Sequence, residues 1–267
     1  DQKRDGAYHP IIDFLFQYFS FPASKLARWS PGSESTLLEA QSEQTKLLGS
    51  KYLWQENSCC ISSLSIPSKR LGGFLWISQI LKQTELNPPV YNCYGLHEWA
   101  MVYQSREVRH KGIPFRLPQS EIDAIVKQSP LQCTHHDALR FYPPEALSFN
   151  LHQPSRKEQK DFEQIACLHA NMDLYKWAYK LYPWIDSDTL MEAFELALEC
   201  RVIDMQASPY DLSHYGFEPI PIETKAGRAL YVQKQNDIQF KAKTIRQKIL
   251  KKYKSLIQDL KKRQDYS

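Results

Sequence analysis

The chain has 267 residues, 34 Lys and Arg against 30 Asp and Glu, and 42% apolar residues, a composition that supports a globular core without help from disulfides. Its longest apolar stretches, residues 11–16 and 74–81, are interrupted by Asp13 and Ser78 and fall well short of the roughly 18 residues that a spanning helix needs, so no membrane partner is expected. The six cysteines form no Cys-x-x-Cys pair, the pattern of reduced thiols in a cytoplasmic protein.

In chain order, residues 9–19 and 23–29 read as short helices, 51–54 and 59–65 as short strands, and 71–83 as a helix. Prolines at 88, 89, 114, 118, 130, 143, 144 and 154 then make the middle loop-rich. From Arg156 the patterns turn helical: one helix to about residue 181, a second from about 188 to 205, and a long terminal helix from Lys225 to about Arg263, with Thr224 as its N-cap. No internal repeat interrupts this order. The expectation is one compact α+β unit, predominantly α-helical, with a mixed, loop-rich part over residues 1–154, a helical part over 155–224 and a basic C-terminal helix over 225–267.

Charge is divided unevenly. Between Lys225 and Ser267 thirteen Lys and Arg face three Asp, whereas the first 224 residues carry 21 cations against 27 carboxylates. In the basic tail Ile245, Ile249, Tyr253, Leu256 and Leu260 recur at steps of three and four, so the helix should dock an apolar stripe on the acidic body and hold its lysines in solvent. Those lysines are either a solvated face or a surface for DNA phosphates or an acidic partner.

Two helices carry charges in unusual places. Over residues 165–181 a helical projection spreads apolar and aromatic side chains around most of the circumference and gathers His169, Asp173, Lys176 and Lys180 into one narrow sector. That stripe is either the solvent edge of a core helix, with Asp173 and Lys176 paired, or the wall of a cleft in which His169 and Asp173 share a proton, a metal or a substrate hydrogen bond. On the next helix Leu190, Ala193, Phe194, Ala197 and Cys200 form the inward stripe, Glu192, Glu195 and Glu199 point away, and the stripe runs on into Arg201 and Asp204. Charges in core positions are either an ion pair that fixes packing or part of the same cleft. His169, Asp173, Arg201 and Asp204 thus form the candidate catalytic set. Pro209 ends the second helix and sets Tyr210 and Asp211 on the following turn.

Several familiar chemistries are missing. Residues 95–103, GLHEWAMVY, open like a zincin helix, but Met101 stands where the second His belongs. His135-x-Asp137 has the spacing of two facial-triad ligands, a pair that arises readily by chance among eight His in this length; neither a metal nor another cofactor is assigned. The nine glycines contain no Gly-x-Gly, and neither a Gly-x-Ser-x-Gly elbow nor a zinc-finger pattern occurs, which argues against the common nucleotide folds and serine hydrolases.

Taken in order, GLHEWAMVY (95–103), CTHHDALRF (133–141), HANMDLYKWAYKL (169–181) and DMQASPYDL (204–212), followed by the basic helix, resemble a bacterial family whose members commonly carry the label 3-methyladenine DNA glycosylase. The resemblance covers nearly the whole chain, from His9-Pro10 onward. It implies a DNA-repair hydrolase, a base-excision N-glycosylase acting on an alkylated purine, and it carries over no catalytic residue. The Gly-x-Gly hairpin of helix-hairpin-helix glycosylases has no counterpart here. Excising a cationic alkylated purine demands an electron-rich aromatic pocket for the extruded base and a carboxylate near the sugar. Trp99, Tyr103, Tyr175, Trp177 and Tyr210 are the aromatic candidates, and Asp204, Asp173 and Asp137 the carboxylates. His97, Glu98, His135, Arg140 and Asp211 complete the expected substrate-binding set. The basic helix suits DNA phosphates, whereas the acidic body argues against them. The alternative is a small-molecule enzyme, metal-dependent or not, with an internal cleft lined by His97, His135, Asp137 and His169. A non-catalytic helical interaction protein suits the tail but leaves the inward charges unexplained.

Overall fold

The structure is a computed structural model that describes residues 9–39, 52–105, 110 and 112–265. Residue 51, the expected start of a strand, lies outside the described residues. Helices α1 (Ile12–Tyr18) and α2 (Ala23–Leu26) lead into a three-stranded antiparallel sheet of β1 (Thr36–Leu38), β2 (Tyr52–Gln55) and β3 (Ser58–Ile61), in the order β1-β3-β2. The register pairs Tyr52 with Ile61 and Trp54 with Cys59, so these four side chains share one face. Tyr52, Cys59 and Ile61 are buried there, while Leu53 on the opposite face is exposed.

The rest is helical: α3 (Leu71–Leu86), α4 (Leu96–Ala100), α5 (Gln119–Gln128), α6 (His136–Leu139), α7 (Pro144–Leu147), α8 (Gln159–Phe162), α9 (Leu168–Tyr179), α10 (Ser187–Gln206) and α11 (Lys225–Asp265). The fold is therefore α+β and predominantly α-helical. Helix α3 stops before Pro88, and the Asn87 side-chain amide donates to the carbonyls of Lys160 (2.9 Å) and Glu163 (2.7 Å), tying its end to the segment around α8. Helix α9 packs against α10, and α11 runs along α3, α9 and α10. Of the twelve residues of α9 only Lys176 and Tyr179 are not buried, so His169 and Asp173 of its narrow polar sector face protein, while Lys176 is half-buried and Lys180, just past the helix end, is exposed.

One expected helix is two. Between α8 and α9, residues 163–167 leave the helix because side chains replace its backbone partners. Gln164 Oε1 accepts from the amides of Val90 (3.1 Å) and Ala166 (2.7 Å), Asn171 donates to the Ile165 carbonyl (2.8 Å), and Gln235 donates to the Ala166 carbonyl (2.8 Å). Amide side chains compete in this way with the helical hydrogen-bond ladder.

Helix α11 follows its sequence pattern closely. Thr224 Oγ1 caps it by accepting from the Gly227 amide at 2.9 Å, and a Cβ at Gly227 would overlap the Pro221 carbonyl, which explains the glycine. Ile238, Ala242, Ile245, Ile249, Tyr253, Leu256 and Leu260 are all buried, and the 41 residues span about 60 Å at 1.5 Å per residue. Its cations, however, are not all in solvent. Lys252, which meets Glu34 (3.0 Å), and Arg246, which bonds Asn171, are buried, whereas Lys241 and Lys248 are exposed as expected and pair at the surface with Glu199 (2.6 Å) and Glu192 (2.7 Å). The glutamates expected to point into water thus neutralise part of the tail. No helix among the described residues is long and apolar enough to cross a membrane.

Candidate functional site

The site begins at Gly95, in the left-handed region at φ +73°, where a Cβ would sit 3.1 Å from the Ala207 Cβ and 3.3 Å from the Tyr231 ring. This close approach brings α4 against α10 and sets His97 and Glu98 opposite Arg201 and Asp204. His97 Nε2 lies 2.7 Å from Asp204 Oδ1, and Arg201 donates to Asp204 Oδ2 at 3.0 Å and to Glu98 Oε1 at 2.7 Å. The guanidinium also lies 2.9 Å from His110 Nε2 and stacks 3.8 Å over the Phe14 ring. His169 Nε2 stands 3.8 Å from Asp204 Oδ2. Arg201 and Asp204 are 0% exposed and His97, Glu98 and His110 2%, so two carboxylates face one guanidinium and one imidazolium, sealed from bulk water.

Electrostatics follows from that geometry. Burial disfavours charge on Asp204, but the His97 imidazolium and the Arg201 guanidinium outweigh it and hold the carboxyl far below the usual range. Burial likewise opposes the His97 imidazolium, yet Asp204 and the Cys93 sulfur raise it well above its ordinary value. His169 goes the other way: burial, seconded by His97, His135 and Arg201, keeps it neutral.

A second buried group adjoins the first through packed imidazoles. The His169 ring lies 4.4 Å from that of His97 and 5.2 Å from that of His135. His135 Nδ1 is 3.4 Å from Glu163, and its Nε2 is 4.0 Å from Asp173. Neither ring nitrogen makes a hydrogen bond within the described residues, although the side chain is fully buried. Lys176 bonds Asp173 and reaches Asp137 Oδ2 at 3.4 Å, which the Tyr18 hydroxyl also contacts at 3.4 Å. Burial pushes the Asp173 carboxyl up. At Lys176 burial is overcome by Asp173 and Asp137, which keep the ammonium charged, and at Asp137 it is overcome by Lys176, His135 and Arg140, which hold the carboxylate low.

Asp137 and Lys176 also line an open cavity of about 480 Å³ between α3, α6 and α9, together with Trp76, Trp177, Arg140, Arg156 and Lys180. Arg156 lies over the Trp76 ring at 5.6 Å and Lys176 over Trp177 at 4.6 Å. One polar chain therefore runs from this cavity through Asp137, Lys176, Asp173, His135 and His169 to Asp204 and His97.

The sequence-derived candidates divide accordingly. His97, Glu98, His169, Arg201 and Asp204 share the inner network; His135 and Asp173 share the second group; Asp137, Arg140 and Trp177 face the cavity. His169 and Asp173, one turn apart, are not partners of each other, since one addresses Asp204 and the other Lys176 and His135. Likewise His135 and Asp137 do not share a ligand set. The aromatic pocket expected from Trp99, Tyr103 and Tyr175 does not form, because all three are core residues. Trp99 donates to the Ala207 carbonyl (2.8 Å), Tyr103 packs on Phe149, and Tyr175 sits among Phe19, Phe21, Tyr179 and Phe194. Tyr210 packs edge-on to His110. Asp211 accepts from the Ser213 amide in a turn and lines neither group.

The residues not foreseen are Glu163, His110, Trp76, Arg156 and a cysteine pair. Cys93 Sγ lies 3.4 Å from His97 Nδ1, and hydrogen bonding from the Cys133 thiol pulls the Cys93 thiol well below its ordinary value. Among the described residues three sets have geometry suited to a metal ion: Cys93, His97 and Cys133; His97, His169 and Asp204; and His135, Glu163 and Asp173. No protein-family model matches the chain, and no significant match occurs among curated proteins or solved structures.

Proposed function

We propose that the protein is an enzyme that holds a phosphate-bearing substrate in the open cavity and acts on it with Asp137 and Lys176. In the form that the sequence resemblance implies, it is a DNA base-excision N-glycosylase acting on an alkylated purine. The observation that carries this reading is the cavity itself, in which Arg140, Arg156, Lys176 and Lys180 surround one carboxylate, Asp137, beside two tryptophans. Its volume of about 480 Å³ lies within the range of small-ligand sites. Cations at the rim suit phosphates, a tryptophan face suits an extruded base, and an ionised Asp137 suits stabilisation of the oxocarbenium-like charge that develops as the glycosidic bond breaks. Asp204 does not fit that role, because it is sealed and fully partnered, so the carboxylate assignment moves to Asp137. Lys176 is fixed by Asp173 and positions Asp137; His135 and the inner network lie behind it.

The test is incubation of the protein with duplex DNA methylated on its purines. Release of free methylpurine and alkali-labile abasic sites is the expected result, with a loss of about 100-fold or more in Asp137→Asn, the scale of removing one group that stabilises developing charge. No release by the wild type would refute the glycosylase reading, and release undiminished in Asp137→Asn would refute the placement. A second reading has its own support. Both tryptophans already carry a cation, Arg156 or Lys176, which suits a free anionic metabolite better than a cationic base. In that case inorganic phosphate and nucleotides, rather than methylated DNA, quench the fluorescence of Trp76 and Trp177.

A further inference from the structure

Three cysteines far apart in sequence meet at the inner end of the polar chain, on the side away from the open cavity. Cys93 precedes α4 by one turn, Cys133 precedes α6, and Cys167 occupies the N-cap position of α9. All are free thiols. Together with His97 they line an enclosed void of about 10 Å³, roughly the room for one water or one ion. The Cys93 Sγ to His97 Nδ1 distance is 3.4 Å, and Cys133 Sγ lies within 4.8 Å of both. A tetrahedral zinc with bonds of about 2.3 Å to sulfur and 2.0–2.1 Å to nitrogen separates those two ligand atoms by about 3.5 Å, which matches. The other ring nitrogen of His97 is bound to Asp204 at 2.7 Å, the carboxylate–histidine arrangement that fixes a ligating imidazole and its tautomer. Arg201 in turn holds Asp204.

We propose that Cys93, His97 and Cys133 bind one zinc ion, a three-ligand site with its fourth position left to water in the adjoining void, which clamps α4 and α6 together behind the cavity. On binding, the ion displaces the proton from His97 Nδ1 and one proton from each ligating thiol, while His97 Nε2 keeps its proton in the bond to Asp204. Thiolate and imidazole ligands select zinc over the hard cations that a carboxylate set would take. The network of Glu98, Arg201 and Asp204 is, on this account, the outer support of a metal site, which explains why so many charges are sealed around one histidine. The proposal is independent of what the open cavity binds.

The experiment is elemental analysis of the full chain purified without chelator, followed by exchange of its metal for Co²⁺. About one zinc per chain is expected, with a sulfur-to-cobalt charge-transfer band and the intense visible bands of tetrahedral Co²⁺. In the Cys93→Ser, Cys133→Ser double variant the metal should fall below about a tenth of an equivalent, whereas Cys60→Ser keeps it. The cobalt spectrum is read on the wild type, so it decides the matter even if the double variant does not fold. A metal-free wild type that gives no cobalt spectrum would overturn the proposal. So would cobalt bound without the charge-transfer band, which would place the metal at His135, Glu163 and Asp173, or a thiol count two short of the six cysteines, which would make Cys93 and Cys133 a disulfide.

Discussion

Replacing Asp204 with Asn keeps the shape of the side chain and removes its charge. In the folded protein Asp204 faces His97 at 2.7 Å and Arg201 at 3.0 Å, both buried. The substitution leaves the Arg201 guanidinium short of a counter-charge, and the Nε2–H of His97 without its carboxylate, in a site sealed from water. Unpartnering a buried charge costs about 3–5 kcal/mol. Arg201 keeps Glu98 at 2.7 Å, so the lower end applies, about 3 kcal/mol, which at this chain length is a fall of about 6–12 °C in melting temperature. Urea unfolding at pH 7, followed by tryptophan fluorescence, measures the loss directly. The midpoint should fall while the slope with denaturant stays as in the wild type, because the surface exposed on unfolding is unchanged. A variant with wild-type stability and no activity would refute this reasoning and restore Asp204 as a catalytic group.

Two further perturbations test the packing. Arg116 grips Glu223 through bonds of 2.6 and 2.7 Å, and although burial opposes it, this bond holds the Glu223 carboxyl below its ordinary value. A carboxyl lowered in the folded state contributes stability that is complete above the unfolded pKa of about 4.3 and lost as pH falls through the folded value. Glu223→Gln should therefore destabilise at pH 7 and differ less from the wild type near pH 3, and an equal loss at both pH values would contradict the assignment. Ending the chain at Thr224 removes the buried Ile238, Ile245, Ile249, Tyr253, Leu256 and Leu260. At about 1.5–3 kcal/mol each that loss matches or exceeds a typical net stability of about 5–15 kcal/mol, so the truncated chain should show no cooperative melt; a wild-type melting curve would mean that α11 is an independent arm.

What the sequence reveals depends on whether a residue's partners are local. The stripe of α11 and its Thr224 cap repeat at helical spacing, and both are found in the structure. The same projection identifies the charged run of Arg201 and Asp204 and the polar sector of α9, because a charge interrupting an apolar face is visible without knowing its partner. The partners themselves, Glu98 and His110 for Arg201, lie 103 and 91 residues away, and no local pattern announces them. Residues 163–167 carry a helical rhythm that side-chain hydrogen bonds from Gln164, Asn171 and Gln235 override. That break hides Glu163 as a neighbour of His135. Trp99 and Tyr175 read as pocket walls because an aromatic side chain at helical spacing looks the same whether it lines a core or a cavity. Trp76 and Arg156 reach the cavity from α3 and the loop before α8, elements whose meeting only the tertiary fold determines.

The central claim, that the open cavity around Asp137 receives phosphate-bearing substrate, is tested most directly by the salt dependence of DNA binding. Duplex DNA carrying a stable abasic-site analogue should bind the wild type with an affinity that falls steeply as salt rises. In an Arg140→Ala, Arg156→Ala double variant the affinity should drop, and the log–log slope should shrink by about 0.9 for each phosphate no longer neutralised. Binding of equal affinity and equal salt slope in the double variant would contradict the account and remove the cavity from the function of the protein.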